Sequence, residues 1–101
     1  MDVKLVNRGS EGELLLSGDL DTRTAGDADM LFAQLADRFE ALTLNMQNMN
    51  YISSAGLRTI RNLYIRLNKK GGKLRITNVN DNVMEVFEMT GLAGLLNLRG
   101  N

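Results

Sequence analysis

Two adjacent serines, Ser53 and Ser54, offer the most informative chemistry in this sequence. They lie in YISSAGLR, residues 51–58, between a strand-like apolar run and a helical pattern. The 101-residue chain contains no histidine and no cysteine, so a serine nucleophile would have only a lysine or a carboxylate as its base. The SSAG sequence also differs from the GxSxG turn of serine hydrolases. The sequence therefore argues against an enzyme that uses either serine as a nucleophile.

The position of the two serines at a predicted helix start leaves two other roles open. Serine is a favoured N-cap residue, because its hydroxyl oxygen accepts a hydrogen bond from an unpaired backbone N–H of the first turn. The same N–H groups, and the positive end of the helix, also favour a phosphate on Ser54. The small residues Ala55 and Gly56 would leave that hydroxyl accessible to another protein. Capping and phosphate acceptance are both compatible with this junction.

The elements that must position these serines follow from the spacing of apolar residues. Strand-like patterns occur at residues 3–5, 14–16, 42–46 and 73–79, and helical spacing occurs over residues 25–39, 57–67 and 83–91. The glycine-containing turn at residues 8–12 joins the first two strands as a hairpin, and the last apolar stretch, Leu95 to Leu98, is predicted as a further short strand. The order β-β-α-β-α-β-α predicts a single α/β domain over residues 1–101, in which about four or five strands form a mixed sheet covered by three or four helices.

Two loops are expected to lie at the same edge of this sheet. GDLDTRT, residues 18–24, and NMNYISSAG, residues 48–56, each follow a predicted strand and precede a helix. Binding sites of α/β sheets collect where strands end at their carboxyl side. We therefore expect the two loops to form one rim that carries the functional site.

The composition excludes several classes of function. Twelve basic and twelve acidic residues give a formal net charge of zero, whereas nucleic-acid binding requires a basic surplus. The absence of cysteine excludes disulfides and thiolate chemistry, and no residue cluster indicates a cofactor or a metal site. No apolar run approaches the ~20 residues of a membrane span, and the N-terminus lacks the apolar centre of a signal peptide. We therefore expect a cytoplasmic protein that binds neither membranes nor nucleic acid.

Three motifs in order resemble one known family. MNYISSAGLR, with SGDLD upstream and VFEMTGL downstream, is similar to the anti-sigma factor antagonists, the stand-alone STAS domains of bacterial partner-switching systems. The resemblance implies that an ATP-dependent serine kinase, which is also the anti-sigma factor, phosphorylates the serine two residues before the motif's glycine. With Gly56 as the anchor, that acceptor is Ser54. It further implies that a PP2C-type phosphatase removes the phosphate and that only the unphosphorylated form binds the kinase and frees its sigma factor.

The resemblance also implies where the partner makes contact. The acid of the family's G-[DE]-L-D loop corresponds to Asp21, a position near the nucleotide end of the partner. Many relatives carry an aspartate directly before the acceptor, where this chain has Ser53, which makes Ser53 a minor rival acceptor. Many relatives also continue beyond the position of Asn101 into another strand and helix, so we expect the last sheet edge either to be thinner or to pair with something else. The predicted partner-binding residues are Asp21, Thr22, Ser53, Ala55, Gly56, Arg58, Arg61 and Ile65.

A basic surface continues from this rim. Residues 41–80 contain no acid but seven of the twelve basic residues. On a helical projection at ~100° per residue, Arg58, Arg61, Arg66 and Lys69 share the face opposite the apolar stripe, with Ile65 among them. This face is either a solvated charged surface with one exposed aliphatic residue or a docking surface for an acidic partner with Ile65 as its anchor.

The leading prediction is therefore a phosphorylation-controlled binding module that sequesters an anti-sigma-type serine kinase. The alternative is a STAS subunit or scaffold of another assembly, either a transporter complex or a signalling branch without a sigma factor.

Overall fold

A computed structural model describes residues 1–96 and confirms the predicted order of elements. These are β1 (Asp2–Arg8), β2 (Glu11–Leu20), α1 (Ala25–Arg38), β3 (Ala41–Ile52), α2 (Ser54–Lys69), β4 (Lys73–Thr77), α3 (Asp81–Met89) and α4 (Leu92–Leu95). The prediction of a strand over Leu95 to Leu98 is wrong at its start, because Leu95 belongs to the short helix α4. Residues 97 and 98 of that predicted strand lie outside the described residues.

The four strands form one mixed sheet in the order β1-β2-β3-β4. The hairpin partners β1 and β2 are antiparallel, whereas β2 with β3 and β3 with β4 are parallel. Each parallel pair is joined through a helix, α1 or α2, as parallel connections require. The carboxyl ends of β2 and β3 consequently lie side by side, which places the starts of α1 and α2 at one edge of the sheet.

The core lies between one face of the sheet and the helices. Alternate residues of the two central strands are fully buried, and so are the apolar residues that α1, α2 and α3 direct toward them: Leu14, Leu16, Leu42, Leu44, Met46, Phe32, Ile60, Leu63 and Phe87. Burial of each such side chain stabilises the fold by about 1.5–3 kcal/mol. This packing holds α2, and thus its first turn, against the ends of β2 and β3.

The two central strands continue further than the sequence pattern predicts. β2 extends to Leu20 and β3 to Ile52, so much of the predicted loops at residues 18–24 and 48–56 is strand. The pairing between these strands shifts register twice, between Leu15 and Ser17 and between Gly18 and Asp19. Such bulges break the regular alternation of a strand and increase its twist. The rim loops are correspondingly short, and their backbone is held by the sheet.

Polar contacts tie α2 to α1 along their length. The amide of Asn62 donates to a carboxylate oxygen of Asp29 at 3.4 Å. At the other end, the ammonium of Lys70 donates to the carbonyl oxygens of Ala36 and Phe39 at 2.6 and 3.1 Å. A cation at this position also interacts favourably with the negative end of α1. None of the helices in residues 1–96 is long and apolar enough to span a membrane.

Candidate functional site

A backbone hydrogen bond connects the two rim loops directly. The last paired residues of β2 and β3 are Leu20 and Ile52, and the N–H of Ser53 donates to the carbonyl oxygen of Leu20 at 2.9 Å. Asp21 and Ser54 are the next residues along the two chain segments. The prediction that both loops share one edge of the sheet is therefore confirmed.

Ser53 is the N-cap of α2. Its backbone is extended, and its side-chain oxygen accepts a hydrogen bond from the N–H of Gly56 at 3.2 Å. Its carbonyl oxygen accepts the first helical hydrogen bond, from Leu57 at 2.9 Å. Ser53 is half-buried. The capping role that the sequence left open for either serine thus belongs to Ser53.

Ser54 differs from its neighbour in both position and exposure. It is the first residue of α2 and is exposed to solvent. Within residues 1–96 no hydrogen bond to its hydroxyl is formed, and in particular no lysine or carboxylate lies in position to activate it. A serine nucleophile needs such a base at about 2.6–3.2 Å. Ser54 is therefore an accessible hydroxyl at the start of a helix.

Gly56 allows α2 to begin this close to the sheet. It is buried, and a Cβ atom at this position would lie 2.5 Å from the carbonyl oxygen of Leu20 and 2.8 Å from its Cγ. Any side chain would therefore force the first turn of α2 away from the end of β2. Ala55, by contrast, is half-buried beside the exposed Ser54.

A shallow groove opens beside Ser54. It is lined by Ser54, Leu57, Arg58, Arg61, Thr90 and Leu92. Arg58 and Arg61 are exposed, as predicted, and neither forms an ion pair with any carboxylate in the described part of the chain. Thr90 follows the last residue of α3, and Leu92 is the first residue of α4; the turn between the two helices brings both to the groove. This turn lies within the VFEMTGL motif, but its sequence indicates no role at the site, because only the tertiary packing brings it to α2.

The loop before α1 is closed by its own hydrogen bonds. The carboxylate of Asp21 accepts from the backbone N–H of Arg23 at 2.9 Å and from its guanidinium at 2.8 and 3.4 Å. The hydroxyl of Thr24 accepts from the N–H of Asp21 at 3.0 Å and donates to the carbonyl oxygen of Asp19 at 3.1 Å. These contacts hold residues 21–24 in one conformation.

Arg23 covers the acid that the sequence predicts as a partner contact. The side chain of Asp21 is only 13% exposed, whereas that of Arg23 is 77% exposed. The side-chain hydrogen bond from Arg23 lowers the pKa of Asp21 below its ordinary value. Thr22 is also exposed. Arg23 was not among the predicted site residues, although its position two residues after an aspartate is a signal for this kind of turn.

The predicted basic surface is divided into two parts. Ile65 is half-buried rather than exposed, so the expectation of an exposed aliphatic residue on this face needs correction. It lines a second groove, on the α1 side of α2, whose walls are Asp37, Asn62, Ile65, Arg66, Lys69 and Lys70. Arg66 and Lys69 therefore lie with Ile65, and Arg58 and Arg61 lie with Ser54.

The described residues contain no group of three or more histidine, cysteine, aspartate or glutamate side chains that could hold a metal ion. The candidate site consists of the accessible hydroxyl of Ser54, the two arginines Arg58 and Arg61 beside it, and a closed loop that presents a third arginine, Arg23.

Comparisons with known proteins agree on one family. The sequence profile of the STAS domain matches residues 4–101. The anti-sigma F factor antagonist of Paenibacillus polymyxa is 31% identical over 88 residues, which make up 85% of this chain and 75% of that relative. An anti-sigma factor antagonist from Mycobacterium paratuberculosis has a similar structure, with a TM-score of 0.81 and 20% identity over 93% of this chain and 80% of that chain.

The same fold also occurs in a different setting. A sulfate transporter family protein from Wolinella succinogenes has a TM-score of 0.76 and 15% identity over 90% of this chain and 75% of that chain. At such low identities the two structural likenesses show a shared fold and no more.

Proposed function

This chain belongs to the STAS domain family, and we propose that it is an anti-sigma factor antagonist controlled by phosphorylation of Ser54. In its unphosphorylated form it binds an anti-sigma factor that is also a serine kinase, and the bound kinase releases its sigma factor. Phosphorylation ends this binding, and a PP2C-type phosphatase restores it. The proposed role places the protein in the cytoplasm with the transcription machinery and requires no catalytic activity of its own.

The observation that carries this proposal is the difference between the two serines. A kinase needs a hydroxyl that its active site can reach, and Ser54 is exposed with no internal hydrogen bond among residues 1–96. Ser53 is half-buried and its hydroxyl oxygen is engaged in the cap of α2, 3.2 Å from Gly56 N, so a kinase would reach it less readily. This supports Ser54 as the acceptor and makes Ser53 the weaker candidate.

The proposed switch acts at the surface rather than on the fold. A phosphate adds a charge of about −1.5 to −2, and the first turn of a helix favours such a charge. The folded chain therefore has no electrostatic reason to rearrange. The partner, which fits a bare hydroxyl, meets added bulk and charge instead.

The proposed partner surface surrounds Ser54. Arg58 and Arg61 form its basic side, and the rim loops form the other side, where Thr22 and Arg23 are exposed. Asp21 contributes to the surface by holding Arg23, since its own carboxylate is covered. The remaining members of the proposed surface are Ser53, Ala55 and, in the second groove, Ile65. Gly56 was predicted as a partner contact but is buried, so it supports the surface only by letting α2 begin close to the sheet.

The alternative function is a STAS subunit or scaffold of another assembly, such as a transporter complex. The likeness to a transporter family protein gives this alternative its basis, because the fold alone does not separate the two roles. The retained, accessible serine and the 31% identity to an anti-sigma F factor antagonist favour the first.

A binding experiment with two variants tests the proposal. Ser54→Ala and Ser54→Asp proteins are immobilised, and proteins captured from the source cells are identified by mass spectrometry. We expect a serine kinase of the anti-sigma type on Ser54→Ala and at least ~100-fold weaker binding to Ser54→Asp, a difference of about 3 kcal/mol. Ser10→Ala, an exposed serine in the turn between β1 and β2 at the opposite end of the sheet, is the matched control and should retain binding. Equal capture by the Ala and Asp variants, or capture of transporter subunits, would contradict the proposal.

A further inference from the structure

The groove beside Ser54 contains two arginines whose charges have no partner within the described chain. We propose that Arg58 and Arg61 bind the phosphate of phosphorylated Ser54 within the same chain. The inference rests on the proposed function in one respect, that Ser54 is the residue that carries the phosphate. It adds that the phosphate is bound by arginines of the same chain. The modification therefore changes both the charge at residue 54 and the position of the two arginines on the partner surface.

The geometry of α2 brings both guanidinium groups toward Ser54. Arg58 is one turn further along the helix and Arg61 two turns, at about 40° and 20° to either side of Ser54 on the helical projection. Residues at i and i+4 are neighbours on a helix surface. Long side chains in helices also point back toward the N-terminus, which here is the direction of Ser54. All three side chains line the same groove.

The charges of the two arginines are available for a ligand. Both side chains are exposed, and neither forms an ion pair within residues 1–96. The first turn of α2 contains no acidic residue, and no acid occurs anywhere between residues 41 and 80. A phosphate on Ser54 would therefore be the nearest anion on this helix for both groups.

The neighbouring threonine does not compete for this role. The hydroxyl of Thr90 donates to the carbonyl oxygens of Val86 and Phe87 at 3.1 and 3.0 Å. Its proton is committed to the end of α3, so Thr90 contributes shape to the groove and no donor for a phosphate. The guanidinium groups remain as the side-chain donors, and arginine binds phosphate with two parallel N–H···O bonds.

This arrangement gives phosphorylation a second effect. The phosphate introduces negative charge where the partner fits a hydroxyl, and it also draws Arg58 and Arg61 out of the basic surface that the partner would contact. An aspartate at position 54 has a shorter side chain and one charge, so it reproduces the first effect better than the second.

Phosphorus NMR of a protein with phosphoserine encoded genetically at position 54 tests the inference. The second pKa of the phosphate is measured in the otherwise unchanged chain and in two double variants. Arg58→Gln/Arg61→Gln removes the proposed ligands. Arg66→Gln/Lys69→Gln is the matched control, because it removes the same charge from the same helix but from the other groove. All four residues are exposed, so the fold should tolerate both changes.

Nearby positive charge stabilises the dianion and lowers its pKa. We expect the first double variant to raise the phosphate pKa by about 0.5 pH unit, the size of a surface ion pair, and the control to leave it within about 0.1 unit. Equal values in the two variants would overturn the inference, since a common shift reports only the net charge of the helix. The phosphate is installed without a kinase, so this result does not depend on the binding experiment. If Ser54→Ala captures no kinase while the pKa difference is observed, the proposed function alone is refuted.

Discussion

The two loops at the rim occupy equivalent positions but differ in how many of their polar side chains are hydrogen-bonded within the loop. Each follows a central strand and begins a helix. In residues 21–24 the carboxylate of Asp21 and the hydroxyl of Thr24 are both used inside the loop. At the start of α2 the hydroxyl of Ser53 is used in the same way, whereas that of Ser54 forms no hydrogen bond within residues 1–96. The comparison indicates that one loop supplies a fixed shape, whereas the other supplies the group that can be modified.

The largest effect is expected at the glycine that holds the second loop against the sheet. Gly56→Ala places a Cβ atom 2.5 Å from the carbonyl oxygen of Leu20, and overpacking of this kind costs about 1–3 kcal/mol or more. At Gly26, in the first turn of α1, a Cβ atom would face open space, with no atom of another element within 4 Å. Gly26→Ala should therefore leave the stability unchanged or raise it by up to ~1 kcal/mol.

Urea unfolding of both glycine variants measures this difference. Opposite signs would confirm that the start of α2 depends on a close approach that the start of α1 does not need. Equal destabilisation of the two variants would mean that a first-turn glycine matters for some other reason, and the comparison between the loops would lose its structural basis.

The order of strands and helices was predictable because local pattern and burial agree over most of the chain. Leu42, Leu44 and Met46 alternate in the sequence and are buried in the sheet. The pattern was misleading where tertiary structure overrides it. The register shifts near Leu15 and Gly18 interrupt the alternation, so the ends of β2 and β3 resemble loops in the sequence.

For the candidate site, the sequence indicated where its residues lie but not the contacts that they make. A helix start at SSAG could be recognised, and the exposure of Ser54 and Arg58 is consistent with it. Which serine caps the helix depends on where the backbone changes from extended to helical, and Ser53 is still extended. The half-burial of Ile65 depends on α1, and the position of Leu92 in the groove depends on the turn after α3. A projection of α2 alone contains no information about these neighbours.

A smaller effect separates the two serines themselves. Ser53→Ala removes the hydroxyl oxygen that caps Gly56 N–H and should destabilise the protein by about 1 kcal/mol. Ser54→Ala removes an exposed hydroxyl without a partner in residues 1–96 and should change the stability by no more than about 0.5 kcal/mol. The free energies of unfolding of the two variants, measured side by side in urea, decide the assignment. A larger loss in Ser54→Ala would reverse the roles of cap and acceptor.

The smallest effect concerns the closed loop and depends on pH. Arg23 lowers the pKa of Asp21 in the folded protein, so the ion pair stabilises the fold above the unfolded pKa of the carboxyl group and loses this contribution as pH falls through the folded value. Arg23→Gln should raise the pKa of Asp21, as measured by carbon NMR of its carboxyl group, and should reduce stability slightly near neutral pH but not in strong acid. Because the guanidinium of Arg23 is exposed, added salt should weaken the difference. Arg38→Gln, at the far end of α1, is the control and should leave the titration of Asp21 unchanged.

An unchanged titration in Arg23→Gln would mean that the carboxylate is not held by the guanidinium. Asp21 would then be available to contact the partner directly. Both loops would in that case present a polar group to the partner, the carboxylate of Asp21 and the hydroxyl of Ser54.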